Sequence, residues 1–347
     1  MNLFSHLEIP KYIAIGDIHG EFKRLFHLIK NNVVDKCNIP IEKVVDEETF
    51  NLLQPHLDNH NCNSIDYLSD IGYKRHINIQ LNDSIIIVAG DCGFGFEKEE
   101  YYHQIFNKYH TLLEKNNIYL YFVRGNHDDP SYFTERKIDY ERIKTVPDYS
   151  IIQTMQNNIL CVGGAISIDR SWRKQEEARL NKYKKMHLKR RYWDNEKPIF
   201  SQELIDGIMA NNIQITDVIS HTAPQFFYPD TKSSLSYWAK IDKHLHKDVT
   251  EERTTLTRLW NYLNEKNIIL KSWVYGHFHY RYCDLIDKIV CLGLDDAFQF
   301  IDVNQYAQEF AQKATKNITF PFASMVSNLS SNVTIPPPIE PIEPLEF

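Results

Sequence analysis

Short runs of β-branched and aromatic residues recur along this chain, and several end abruptly in glycine followed by a polar side chain. Lys11–Ile15 runs into Gly-Asp, residues 84–89 run into Gly-Asp, and residues 118–123 run into Arg-Gly-Asn-His-Asp. Such runs, bounded by turn residues, predict buried strands. Further strands are predicted at 159–162, 217–220, 272–275 and 288–292. Helical patterns lie between several of them, over 22–31, 97–115 and 251–267. Strands alternating with helices predict an α/β layered fold. In such folds chemistry sits at the carboxyl ends of strands, which is where each polar motif here falls.

Three stretches read as additions to that core. Residues 34–80 separate the first two Gly-Asp motifs and are rich in Asn, Asp and His. Residues 170–197 carry 11 Lys/Arg against 4 Asp/Glu, within an insertion spanning about 170–215. The end of the chain, TIPPPIEPIEPLEF, predicts an extended segment. The expected organisation is one catalytic domain over 1–305 and a tail over 306–347. No solenoid-type repeat is present.

Composition narrows the class. The chain has 347 residues, 43% hydrophobic and 24% charged, with a net charge of −7. That profile suits a globular protein and argues against a uniformly basic nucleic-acid coat. No apolar run approaches the roughly 18 residues of a membrane span, and the first residues show neither a basic start nor a cleavage site. The six cysteines form no CxxC pair and no regular spacing, which disfavours a disulfide framework or a zinc knuckle. A cytoplasmic, reducing compartment is expected. Glycine is scarce, and nine of the 12 cluster in short segments around Asp, His and Asn. Glycine serves where a chain turns tightly or passes close to a ligand.

The strand ends present a mixed donor set. Asp17 and His19 follow the first strand, Asp91 the second, and Asn126, His127 and Asp128 the third. His221 follows the 217–220 strand, and His277 and His279 follow 272–275. Carboxylate, imidazole and amide ligands without thiolate suit Mn, Fe or Zn in a catalytic site. There are too many for one ion, and they fit two ions bridged by one carboxylate. Each motif alone is weak, since Gly-Asp is a common turn and His-x-His is often two surface histidines. Their joint occurrence in this order carries the weight.

Gly16-Asp17-Ile18-His19-Gly20, Gly90-Asp91-Cys92-Gly93, Gly125-Asn126-His127-Asp128, Ser220-His221 and Gly276-His277-Phe278-His279 together resemble the calcineurin-like metallophosphoesterase superfamily, over most of the chain. The resemblance implies a four-layer sandwich of two β-sheets flanked by helices. It implies that Asp17, His19 and His279 bind one metal ion, that Asn126, His221 and His277 bind the other, and that Asp91 bridges them. His127 would be a general acid or electrostatic stabiliser and Asp128 would orient it. The expected chemistry is in-line attack on a phosphate ester by a metal-bridged hydroxide, with no covalent enzyme intermediate.

Other residues carry weaker signals. In the phosphoprotein-phosphatase branch an arginine at the position of Arg124 contacts the substrate phosphate, which a bidentate guanidinium suits. The chain departs from that branch in Asp91-Cys92-Gly93 and in Asp128. Residues 163–173 resemble a loop of bacterial and phage-type members, with Trp193-Asp194-Asn195-Glu196 further on. Arg170 or Arg173 would then reach a substrate phosphate, or else begin a solvated helix. The basic segment 182–191, with Tyr183, Tyr192 and Trp193 around it, invites nucleic-acid binding with base stacking, against the plainer reading of a charged exposed helix. The aromatics of 226–238 read mainly as core packing.

The leading expectation is a dinuclear-metal phosphoesterase acting on phosphate monoesters of protein or small-molecule substrates, such as phosphoprotein Ser/Thr, with Mn2+ as the metal. One rival is a nuclease or cyclic-nucleotide phosphodiesterase on the same scaffold. Another is a non-catalytic interaction module, with the Pro-rich tail as a docking segment.

Overall fold

The computed structural model describes residues 2–33, 79–182 and 192–318. Its strands are β1 (Leu3–Ser5), β2 (Lys11–Ile15), β3 (Ser84–Val88), β4 (Ile118–Phe122), β5 (Ile143–Thr145), β6 (Ser150–Gln153), β7 (Asn158–Val162), β8 (Asp217–Ser220), β9 (Ser272–Tyr275), β10 (Tyr282–Ile286), β11 (Ile289–Gly293) and β12 (Ile301–Asp302). Its helices are α1 (Phe22–Asn32), α2 (Glu99–Lys115), α3 (Ser131–Thr134), α4 (Arg170–Lys182), α5 (Gln202–Ala210), α6 (Leu235–Trp238), α7 (Leu245–Glu265) and α8 (Val303–Ile318).

Two sheets form, in the orders β12-β2-β3-β4-β5 and β1-β6-β7-β8-β9-β11-β10. Strands β2 to β5 are parallel, as are β7, β8, β9 and β11. Side-chain alternation explains why the apolar runs are near-continuous. Ile13, Ile15, Ile86 and Val88 point to a core shared with Phe22, Phe26 and Phe106 of α1 and α2. Their neighbours Tyr12, Ala14, Ile85 and Ile87 point the other way, against Ile159, Cys161, Ile219 and Val274 of the second sheet. On the far side, Leu160, Val218, Trp273 and Tyr275 meet Ile205 of α5 and Leu256, Leu259 and Trp260 of α7. Strands buried on both faces read as near-continuous apolar runs, broken here only at strand ends, as at buried Ser84, Asp217, Ser220 and Ser272. The result is the expected four-layer sandwich, helices on sheet on sheet on helices.

Register brings the motifs together. Ile15, Val88 and Phe122 lie level across one sheet, and Val162, Ser220 and Tyr275 across the other. Each is the last or near-last residue before a polar motif, so the motifs share one edge of the sandwich.

The structure differs from expectation at several elements. Helix α7 begins at Leu245 rather than 251, because Leu245 is buried against Ile166 and Leu235 and anchors extra turns. Helix α8 was not expected, although Val303, Tyr306, Ala307, Phe310, Ala311 and Ala314 recur at helical spacing; Val303 enters the inter-sheet core and Tyr306 packs against it. Within the expected insertion, α5 packs Ile205 and Ile208 into the core. Strands β1, β5, β6, β10 and β12 are short or lie at sheet edges and left no readable pattern.

The chain divides into two compact units, Met1–Ala307 and Gln308–Phe347. The second is described over 308–318, which is helical. Most of the insertion 34–80, most of the basic segment 182–191 and the Pro-rich end lie outside the described residues. Tyr192 and Trp193, read as base-stacking candidates, are interior side chains, each about one-twentieth exposed. No helix among the described residues is long and apolar enough to cross a membrane. The described cysteines, Cys92, Cys161, Cys283 and Cys291, form no disulfide.

Candidate metal centre

The loops after β2, β3, β4, β8 and β9 converge on a buried carboxylate, Asp91. Backbone bonds lock the first two loops together: His19 N–H donates to Asp91 O and Gly20 N–H to Cys92 O, both at 2.8 Å. Four of the expected ligands stand in the left-handed backbone region, with φ of 46° at His19, 46° at Asp91, 65° at His277 and 53° at His279. Non-glycine residues pay strain there, and such residues concentrate at functional sites. Two glycines let the loops close. A Cβ on Gly125 would lie 2.0 Å from the Asp91 nitrogen, and one on Gly90 (φ +97°) would lie 2.1 Å from the His221 ring.

One donor cluster comprises Asp17, His19, Asp91 and His279, whose ligand atoms all lie within 4.8 Å of one another. His19 Nε2 and His279 Nε2 are 3.3 Å apart, and Asp17 Oδ2 is 3.0 Å from His279 Nε2. A second convergence lies on the other side of Asp91. His221 Nε2 is 3.1 Å from Asp91 Oδ1 and 2.9 Å from Asn126 Oδ1. The His277 ring lies against His221, with centroids 5.1 Å apart.

The surroundings aim these donors inward. The Ala89 carbonyl lies 2.8 Å from His221 Nδ1 and holds a proton there, which turns Nε2 toward Asp91 and Asn126. Asn126 Nδ2 donates to Ser167 Oγ at 2.9 Å, which turns the amide oxygen toward His221. The outer oxygen of Asp91 is buried and receives no hydrogen bond. Buried acceptors crowded together, with an orphaned carboxylate oxygen between them, are the arrangement a cation satisfies. The residues therefore fit two divalent ions sharing Asp91, in a mixed oxygen and nitrogen donor set without sulfur.

Electrostatics follow from burial and proximity. Burial would raise Asp91, but His127, His221 and His19 outweigh it and hold the carboxyl well below its usual range. Burial opposes charge on His221, yet Asp91 and Asp17 lift that imidazole to about 9. Burial pushes His127 down to about 3, with Arg173 and Lys232 adding to the effect and Asp91 opposing it. His277 is held well below its usual value by burial, then by Lys232 and His221.

Several expected roles are corrected. Arg124 is buried, and its guanidinium donates to Asp148 Oδ2 at 2.8 Å, Glu196 O at 3.0 Å and Lys197 O at 3.2 Å. It struts the chain around β7 rather than reaching toward a substrate, because those acceptors take its terminal N–H groups. Asp128 does not orient the His127 ring through a hydrogen bond. Its two oxygens accept the backbone N–H groups of Cys92, Gly93, Phe94 and Gly125 at 2.6–3.1 Å, which pins the loop carrying Asp91 to the one carrying Asn126. Burial and Asp91 nonetheless raise its carboxyl to about 6. His127 is set instead by Asp91, whose Oδ1 accepts its backbone N–H at 2.8 Å and whose Oδ2 lies 3.7 Å from its Nδ1. Arg170 pairs with Asp242 at 2.7 Å and Asp248 at 2.5 Å, tying α4 to α7 and the turn before it. Arg173 pairs with Asp169 at 2.7 Å and lies within Coulombic range of His127.

Sequence reasoning missed a buried pair on α7. Glu252 accepts the Ile166 N–H at 2.5 Å and the Thr222 hydroxyl, holding two site loops. Arg253 donates to the carbonyls of Pro224, Phe227, Pro229 and Asp230 at 2.5–2.7 Å, holding the loop after His221. A charged pair within the polar stretch Thr250–Thr255 of this helix reads as solvated surface, and only its burial reveals it. Lys232, further along that loop, was missed too, since a single lysine among aromatics has no signature.

Residues 10–281 match the family model described as calcineurin-like phosphoesterase. Among solved structures the chain is similar to the crystal structure of phosphopantetheinyl hydrolase from Mycobacterium tuberculosis. The two share 14% identity over 82% of this chain and 89% of that one, with a TM-score of 0.31. No curated protein sequence matches the chain.

Proposed function

The chain belongs to the calcineurin-like phosphoesterases, and we propose that it hydrolyses phosphate monoesters at a pair of divalent metal ions, with Mn2+ as its resident metal. The observation that carries this reading is Asp91, whose two oxygens face two separate groups of donors. Asp17, His19 and His279 would hold one ion with Asp91, and Asn126, His221 and His277 the other. Bound there, the pair supplies charge neutralisation for the phosphate oxygens and an acidified water.

The chain's own residues do the rest. Asp128 and Glu252 hold the loops so that the donors need little reorganisation. His127, its backbone tied to Asp91, presents a neutral imidazole in the substrate-free protein. A neutral ring donates a hydrogen bond to the departing oxygen. It becomes a general acid only when a dianionic substrate raises its affinity for a proton. The substrate class is a phosphorylated protein side chain or small molecule. The free cysteines fit a cytoplasmic setting.

The test is hydrolysis by purified, Mn2+-loaded protein of p-nitrophenyl phosphate against bis-p-nitrophenyl phosphate, with Asp91→Asn as the blank. Faster monoester turnover, lost in the variant, is the expected result. Preference for the diester would replace this reading with the nuclease or phosphodiesterase one. Undiminished activity in Asp91→Asn would remove the shared-carboxylate assignment.

A further inference from the structure

We propose that Lys232 is the phosphate anchor of this site, binding a non-bridging oxygen of the substrate and selecting the monoester dianion over the diester monoanion. The inference rests on the phosphoesterase reading above and adds a residue to it.

Lys232 Nζ lies 3.5 Å from His277 Nδ1, at the edge of the second group of donors. Among the described residues no carboxylate lies within ion-pair distance of this ammonium. Its position is built rather than accidental. Upstream, Arg253 grips four carbonyls of residues 224–230, and Phe227 is buried among Trp260, Trp273 and Tyr275. Downstream, Leu235 is buried against Ile166 and Leu245. Lys232 stands between these two anchors and is half-buried.

The argument is one of charge. An ammonium beside an imidazole that binds a divalent cation is repelled unless an anion nearby offsets the charge. A phosphate group bound at the metal pair would bring an anionic oxygen within reach of the ammonium and supply that offset. Of the other cations expected to do this work, Arg124 has its terminal N–H groups committed to Asp148, Glu196 and Lys197, Arg170 is paired with Asp242 and Asp248, and Arg173 with Asp169. A compact ammonium on a flexible stem suits a point contact to one phosphate oxygen. A dianion gains more from such a contact than a monoanion of the same shape.

The experiment uses Mn2+-loaded full-length protein and Lys232→Ala and Lys232→Arg variants. It measures bound metal, calorimetric binding of inorganic phosphate, and turnover of both nitrophenyl esters. Lys232→Ala is expected to keep the wild-type metal content, to weaken phosphate binding by about tenfold or more, and to lower the monoester-to-diester rate ratio by a similar factor. Lys232→Arg is expected to recover part of both losses. Phosphate binding and rate ratio unchanged in Lys232→Ala would overturn the proposal, as would loss of metal from that variant, which would make Lys232 a support of the metal site. Phosphate binding is read without turnover. A wild-type chain that binds phosphate through Lys232 but hydrolyses neither ester would therefore count against the phosphoesterase reading and not against the anchor.

Discussion

His221 and Ala89 meet across the two sheets: the carbonyl that ends one strand run fixes the tautomer of the imidazole that follows another, at 2.8 Å. This contact makes His221 Nε2 the atom that faces Asp91, where a proton sits in the metal-free chain. Burial disfavours that proton, but Asp91 and Asp17 lift the site to about 9. A cation taking Nε2 must displace it. Metal loading at pH 7.5 is therefore expected to release a proton here, and affinity to rise about tenfold per pH unit until about pH 9. Calorimetry in two buffers of different ionisation enthalpy reads the release directly; identical heats would contradict it. The same proton stabilises the metal-free fold fully below His221's ordinary value of 6.5, and that contribution fades as pH rises through about 9.

Ser167 touches no proposed ligand atom, yet its Oγ accepts the Asn126 amide N–H at 2.9 Å. Removing such an outer partner typically costs about 10–100-fold in metal affinity or activity. Ser167→Ala is expected to show a loss in that range, together with about 1–3 kcal/mol of stability, because the buried Asn126 amide donor is left unpaired. A metal titration with no change in affinity would show that Asn126 needs no such support.

Gly125 leaves no room for a methyl group. Its added Cβ would lie 2.0 Å from the Asp91 nitrogen and 2.2 Å from Asp91 Oδ1. Overpacking of this kind costs about 1–3 kcal/mol. Gly125→Ala is expected to lower stability by that amount in urea unfolding and to lose metal, because the displaced group is the shared carboxylate. Full metal content in the variant would mean that the loop absorbs the shift elsewhere.

Glu196 gives a pH dependence away from the donors. Burial raises its carboxyl to about 8, although the neighbouring Ser167 favours the charged form. The folded chain then holds a proton there that the unfolded chain has released above its ordinary value of 4.5. Stability from this residue is complete below pH 4.5 and declines as pH rises toward 8. Glu196→Gln, which keeps the shape without the charge, is expected to flatten that decline between pH 5.5 and about 8 in denaturant unfolding. A decline as steep as wild type would place its origin elsewhere.

How much was legible in the sequence follows from where each residue's surroundings come from. The strands of the two facing sheets announce themselves because both their faces are buried, so β2, β3, β4 and β7 read as near-continuous apolar runs, and β8 and β9 as short apolar cores with a polar residue at one or both ends. The donors at their ends were legible for the same reason, since parallel strands in register deliver consecutive motifs to one edge. Local order along the chain was enough for both. What Arg124, Asp128 and Lys232 do depends on partners that local order does not reveal. Arg124 is claimed by Asp148, 24 residues on, and by carbonyls more than 70 residues on. Asp128 is claimed by the backbone of the neighbouring strand's loop, and Lys232 is placed by an arginine on α7. The left-handed backbone of His19 and His277 is likewise held by other motifs, through the Asp91 carbonyl and the Asp17 carboxylate. A donor's identity is written in its own side chain, but its direction is set by whichever distant group satisfies its remaining polar atoms, and that is decided only when the sheets pack.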